Sequence, residues 1–178
     1  MKLKQHITDT MKEWQMKIGY NYEKVCLYYP ASSLYKYINS EKSDCLDVQK
    51  QKLNNYIENN LSVLGNVKTI WDSDGKRVCI EIPAEGSKYV NENIKEPELL
   101  VEFLKIINDK TKTLKDVEKL FNNYAHKYNG KCNMKKSEDG HGKILYFSEE
   151  VPEQYVYCVE DDEFGITYHR FEKTDYEL

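Results

Sequence analysis

Lys143-Ile144-Leu145-Tyr146-Phe147-Ser148, Tyr155-Val156-Tyr157-Cys158-Val159 and Ile166-Thr167-Tyr168-His169-Arg170-Phe171 decide the fold. Each run is rich in aromatic and β-branched residues, and turn-forming residues separate them, so they read as three sheet strands. The segments before them read mainly as helices. The class is therefore α+β: four to five helices packed against a small, mainly antiparallel sheet. The chain's 178 residues are enough for one sizeable core, and a single domain over 1–178 is expected.

Upstream of these strands, Leu99, Leu100, Val101, Phe103, Leu104, Ile106 and Ile107 leave little polar face, so the helix after Pro97 is expected to be central and buried. Thr113-Leu114-Lys115-Asp116 has the form of a capping box, with aspartate in place of the usual glutamate. It opens a helix striped by Leu114, Val117, Leu120, Phe121, Tyr124 and Tyr128, which Asn129-Gly130 ends. A short strand around Cys132–Lys135 and a turn over Glu138–Gly142 follow.

In the first half, Ile7, Met11, Trp14 and Ile18 mark one face of a helix over 3–18, stopped near Gly19. Val25–Pro30 reads as extended, because the residue before a proline is pushed out of the helical region. Ser32 or Ser33 caps a short helix through Ile38, and Ser43 caps a longer one carrying Leu46, Leu53, Ile57, Leu61 and Leu64. Asp74-Gly75 between Val67–Trp71 and Arg77–Ile82 signals a hairpin, and a short helix is expected over Ser87–Ile94. Helix, Asp-Gly hairpin and Tyr-Val pair recur in order in 46–90 and 114–156, an echo that a duplicated helix-hairpin unit would leave.

Composition narrows the function classes. Hydrophobic residues make up 40% and charged residues 31%, the balance of a globular chain. No apolar run approaches the roughly 18 residues needed to span a bilayer. The start lacks the apolar stretch of a secretory signal, so a cytoplasmic location is expected, without membrane contact. The five cysteines are odd in number and nowhere spaced as Cys-x-x-Cys, which argues against a disulfide framework and a zinc ribbon. Residues 144–178 carry two basic against ten acidic side chains, and the whole chain has only Arg77 and Arg170 for arginines. An acidic segment repels phosphate and arginine is the favoured reader of it, so nucleic-acid binding is disfavoured.

The phosphate-loop, dinucleotide, zinc-protease and hydrolase-elbow motifs are all missing. The best constellation left is Cys158 with His169. If Asp161 pairs with Ile166 in the last hairpin, the two stand side by side on one face, and an imidazole beside a thiol can make a nucleophile. A one-residue slip would part them, and a buried cysteine beside a hydrogen-bonded histidine would look the same in sequence. Tyr168 and Arg170 share the opposite face. Glu160-Asp161-Asp162-Glu163 reads as a solvated turn and lacks a calcium loop's ligand pattern. No metal site and no cofactor are expected. Six of the 15 tyrosines crowd into 20–37, and Tyr28 and Tyr29 there are candidates for binding a partner, with burial in the core as the plainer role.

Leu27–Leu34, Ile82–Gly86, Tyr155–Cys158 and Tyr168–Phe171 with Asp175-Tyr176 together resemble a family of uncharacterised bacterial proteins known only as a domain of unknown function. The resemblance spans about Met11 to Tyr176. It implies a single-domain bacterial cytoplasmic protein and transfers no functional residue. The expectation is thus a non-enzymatic binding or protein-interaction module. The alternative is an enzyme or small-molecule binder with a pocket at the last two strands around Cys158 or His169.

Overall fold

The computed structural model describes residues 2–137, 140 and 142–176. They form two compact units, residues 1–96 and 97–178. The first runs α1 (Leu3–Ile18), β1 (Val25–Pro30), α2 (Ala31–Ile38), α3 (Leu46–Asn60), a 3-10 turn (Ser62–Leu64), β2 (Lys68–Trp71), β3 (Arg77–Ile82) and α4 (Ala84–Asn93). The second runs α5 (Glu98–Asn108), α6 (Leu114–Lys127), β4 (Cys132–Lys136), β5 (Gly142–Phe147), β6 (Tyr155–Asp162), β7 (Gly165–Glu172) and a 3-10 turn (Lys173–Asp175).

The class is α+β, with two corrections. Six α-helices form among the described residues where four to five were expected, and the strands make two antiparallel sheets, β1-β3-β2 and β4-β5-β6-β7. The short helices α2 and α4, each expected in outline, bring the number to six; at 8 and 10 residues they are marginal by themselves and owe their persistence to tertiary packing. Each sheet pairs strands from its own part of the chain.

In the first unit, alternation sends Val25, Leu27 and Tyr29 of β1 and Val78, Ile80 and Ile82 of β3 to one face. That face packs on Leu3, Ile7 and Met11 of α1, Leu34 and Ile38 of α2, and Leu53 and Ile57 of α3. The α1 stripe ends early: Trp14 and Ile18, expected on the buried face, are exposed. Inside the helix, Lys12 is buried and its ammonium donates to the Asn91 carbonyl at 3.3 Å.

The expected serine caps of α2 and α3 are not what starts them. Pro30 precedes α2, where the Ser33 hydroxyl donates to the Pro30 carbonyl at 2.8 Å. Cys45 precedes α3, while Ser43 reaches Glu41 instead. The ordering group there is Asp44, whose Oδ2 accepts from Lys52 Nζ (2.8 Å), Ser40 Oγ (2.8 Å) and the Glu41 N–H (3.0 Å). These donors, Lys52 foremost, hold its carboxyl down from 3.8 to about 2. A depressed carboxylate adds stability above its unfolded pKa and loses it as pH falls through the folded value. Between pH 4 and about 2, urea midpoints should therefore fall less steeply in Asp44→Asn than in the wild type. Equal slopes would show that the folded and unfolded carboxyls titrate alike.

The first unit also contains a repeat that was not anticipated. Lys24-Val25-Cys26-Leu27-Tyr28-Tyr29-Pro30-Ala31 and Arg77-Val78-Cys79-Ile80-Glu81-Ile82-Pro83-Ala84 share a basic residue, then Val-Cys, an aliphatic, and Pro-Ala. Both copies run strand, proline, helix: β1 into α2 and β3 into α4. The strands pair antiparallel, and Leu27 lies opposite Ile80, its own counterpart. An approximate two-fold axis thus passes through that pair. The echo noted above is weaker: Tyr89-Val90 lies in helix α4, whereas Tyr155-Val156 lies in strand β6.

In the second unit α5 and α6 form an antiparallel pair, tied at its open end by the Lys127–Glu98 ion pair. Helix α5 is not buried all round: Leu99, Leu100, Phe103 and Leu104 face inward, while Lys105 and Glu102 pair at 2.6 Å on the exposed side. The Thr113–Asp116 capping box forms, the aspartate accepting the Thr113 N–H at 3.0 Å. The turn expected over Glu138–Gly142 lies largely outside the described residues.

Candidate functional site

The expected register of the last hairpin holds. Asp161 pairs with Ile166 and Cys158 with His169, so thiol and imidazole stand opposite each other on one face. Cβ atoms so placed are about 4.5–5.5 Å apart. Cys158 is half-buried and His169 exposed. Burial pushes the Cys158 thiol up, with the Glu160 charge adding to it and a bond from Tyr176 opposing. At neutral pH this sulfur therefore rests as the thiol, whereas a nucleophile needs the thiolate.

Tyr168 and Arg170 point to the other face. The Tyr168 ring lies 4.8 Å from Phe103, and the Arg170 guanidinium stacks 4.0 Å from the centre of the Tyr155 ring. Beside them is a carboxyl that sequence pattern did not reveal. Glu153 is buried and accepts from the Tyr155 N–H (3.1 Å) and the Tyr157 hydroxyl (3.2 Å). Burial pushes this carboxyl up, against the pull of Arg170. A single acidic residue just after Val-Pro gives no periodic signal, so only the fold exposes it.

Tyr28 and Tyr29 part company. Tyr29 turns inward, its ring 5.6 Å from that of His6. Tyr28 turns outward and is 74% exposed. It belongs to the open face of the β1-β3-β2 sheet, opposite the helix-covered core. Register arranges this face in rows: Tyr28, Cys79 and Ile70 across one, Cys26, Glu81 and Lys68 across the next. Ile70 is 56% exposed, while Cys79 on the middle strand is buried between its flanking neighbours. A shallow cleft of about 580 Å³ runs over Cys26, Tyr28, Ile70, Cys79, Glu81 and Arg77.

Charges and thiols order the face. Lys24 Nζ meets Glu81 Oε2 at 2.6 Å, which holds the Glu81 carboxyl down and the Lys24 ammonium up. The Cys79 thiol is pushed up by burial first and then by the neighbouring Cys26, with Tyr28 opposing. Tyr28 is in turn pushed up, chiefly by the charge Cys79 would carry. Chemically, the arrangement offers an exposed aromatic, an exposed aliphatic, an arginine and two adjacent thiols. Such a set suits recognition better than acid–base work.

No group of three or more histidine, cysteine or acidic side chains is placed to hold a metal among the described residues. Among those residues, too, no helix is long and apolar enough to cross a membrane. A family model described as "Domain of unknown function, E. rectale Gene description (DUF3877)" matches residues 1–178. The chain belongs to the DUF3877 family. Neither a curated protein nor a solved structure gives a significant match. Membership in DUF3877 agrees with the resemblance carried by Leu27–Leu34 and Ile82–Gly86. Those two segments are also the strand-to-helix junctions of the internal repeat. The signal that sequence reasoning missed was this repeat, whose outward positions hold Lys24 and Arg77, and Cys26 and Cys79.

Proposed function

We propose that the chain is a non-enzymatic interaction module of the bacterial cytoplasm, and that it binds a protein partner through the open face of the β1-β3-β2 sheet. The observation that carries this is the exposure of Tyr28 and Ile70 on either side of Cys79, on a sheet face that the core helices leave uncovered. Isolated exposed apolar residues are ordinary, but an aromatic and an aliphatic flanked by an arginine form the kind of cluster that anchors interfaces. The partner needs no cofactor, and neither nucleic acid nor membrane enters.

A second reading, of a small-molecule binder or enzyme using Cys158 and His169, draws support from their direct pairing on β6 and β7. The thiol's upward shift weighs against it. The two readings separate in one affinity-capture experiment from bacterial lysate. Tyr28→Asp should reduce recovery of the captured partner by about tenfold, the loss of one interface anchor, while Cys158→Ala leaves it unchanged. Loss with Cys158→Ala and retention with Tyr28→Asp would reverse the assignment.

A further inference from the structure

The two copies of the internal repeat place cysteine at the same position, and in both it faces outward rather than into the core. Packing on the core therefore does not account for the pair. Cys26 lies opposite Glu81 and Cys79 opposite Tyr28, so the two cysteines are diagonal neighbours across β1 and β3. In a flat ladder such diagonals separate Cα atoms by about 7–8 Å, a little beyond the roughly 4.4–6.8 Å that a disulfide spans. The right-handed twist of paired strands shortens one diagonal and lengthens the other. Both cysteines line the same shallow cleft of the open face. All five cysteines are free, and Cys26 is accessible while Cys79 sits buried beside it.

We propose that Cys26 and Cys79 form a reversible dithiol–disulfide pair, oxidised by a low-molecular-weight disulfide such as oxidised glutathione, and that this oxidation regulates the open face of the sheet. The bond stands on the cysteine geometry alone; only its regulatory consequence rests on the function proposed above. In the first step the Cys26 thiolate attacks one sulfur of glutathione disulfide. A Cys26–glutathione mixed disulfide forms, and one glutathione thiolate leaves and takes up a proton. In the second step the Cys79 thiolate attacks Cys26 Sγ and expels the second glutathione. The protein gives up two protons and two electrons, and the reagent disulfide is reduced to two thiols. A bridge that demands extra sheet twist is strained, and strained, exposed disulfides are the readily reduced ones. Oxidation also removes the thiol of the residue paired with Tyr28, so the face changes at its most exposed aromatic.

The test incubates the reduced, full-length chain with oxidised glutathione and reads intact mass and peptide maps. The wild type should lose two hydrogens and yield one linked pair of peptides containing Cys26 and Cys79, reversed by dithiothreitol. Cys79→Ser should trap glutathione on Cys26. Cys26→Ser should leave Cys79 unmodified, and Cys45→Ser, which removes an exposed thiol, should leave the cross-link intact. A stable glutathione adduct on wild-type Cys26 without the cross-link would overturn the proposal, as would a cross-link between other cysteines. Circular dichroism confirms that each variant folds. The regulatory part is read by partner capture, which should fall several-fold on oxidation of the wild type and not of Cys79→Ser. Unchanged capture by the oxidised wild type would overturn regulation while leaving the bond. A capture insensitive to Tyr28→Asp would instead refute the function of the face, and the mass result does not depend on it.

Discussion

Phe103→Ala should destabilise the second unit by about 3–5 kcal/mol, and Phe121→Ala by a similar amount. Phe103 on α5 meets Phe121 of α6 edge-on at 5.3 Å, Tyr157 of β6 at 5.5 Å and Tyr168 of β7 at 4.8 Å. Phe121 stacks on Phe147 of β5 at 5.3 Å and meets Tyr157 edge-on at 5.0 Å. The helix pair and three of the four strands thus converge on two fully buried rings. Removing either loses the transfer energy of a phenyl group and opens a cavity that rigid neighbours cannot fill. Phe103→Leu keeps most of the volume and should cost under about 1.5 kcal/mol. Because the rings touch, the double alanine variant should cost less than the two single costs together. Two compact units make a whole-chain two-state fit insecure, so hydrogen exchange of the β6 amides is the better gauge. A Phe103→Ala cost under about 1 kcal/mol, the ordinary effect of a point substitution, would show that the cluster is not what joins helices to sheet.

That cluster was largely legible in the sequence. The three aromatic runs of the C-terminal third are strands β5, β6 and β7, and the stripe holding Val117 and Phe121 is the buried face of α6. The β6–β7 register was readable because a short acidic turn leaves few ways to pair two runs of alternating residues. What stayed hidden was long-range. Alternation marks a core face only when the other face is polar, and here both faces carry apolar groups: Leu27 and Ile80 inward, Tyr28, Ile70 and Cys79 outward. The tyrosine-rich segment was visible as a cluster, yet which ring points outward depends on pairing with β3, far along the chain. The division of strands between two sheets has the same origin, since local period says nothing of a strand's partner. Trp14 and Ile18 show the limit from the other side: they have the spacing of a buried stripe but lie at a helix end that the core does not reach.

Gly86→Ala sets two physical effects against each other, and its sign tells which wins. Alanine is favoured over glycine inside a helix by about 1 kcal/mol, and Gly86 lies in the first turn of α4 at ordinary helical φ. A Cβ there would stand 2.5 Å from the Leu64 carbonyl oxygen and 2.5 Å from Ile82 Cγ2. The first is backbone and cannot swing away: Leu64 is fully buried and ends the 3-10 turn on which α4 packs, followed by Gly65 at φ +84°. Overpacking of this kind costs roughly 1–3 kcal/mol or more, and with backbone as the obstacle the upper end applies. The net expectation is a loss of about 2 kcal/mol, read as a lower urea midpoint, against almost no change for Lys88→Ala on the exposed side of the same helix. A raised midpoint would mean that α4 can move off the turn. The repeat sharpens the comparison. Gly86 corresponds to Ser33, whose side chain lies at the surface-facing start of α2 and bonds the Pro30 carbonyl. Ser33→Gly loses one hydrogen bond and some helix propensity, about 1 kcal/mol, whereas Gly86→Ser meets the same backbone oxygen as alanine does. The two junctions share proline and alanine because both turn a strand into a helix. They differ three residues on because only the second helix is pressed against a neighbouring turn.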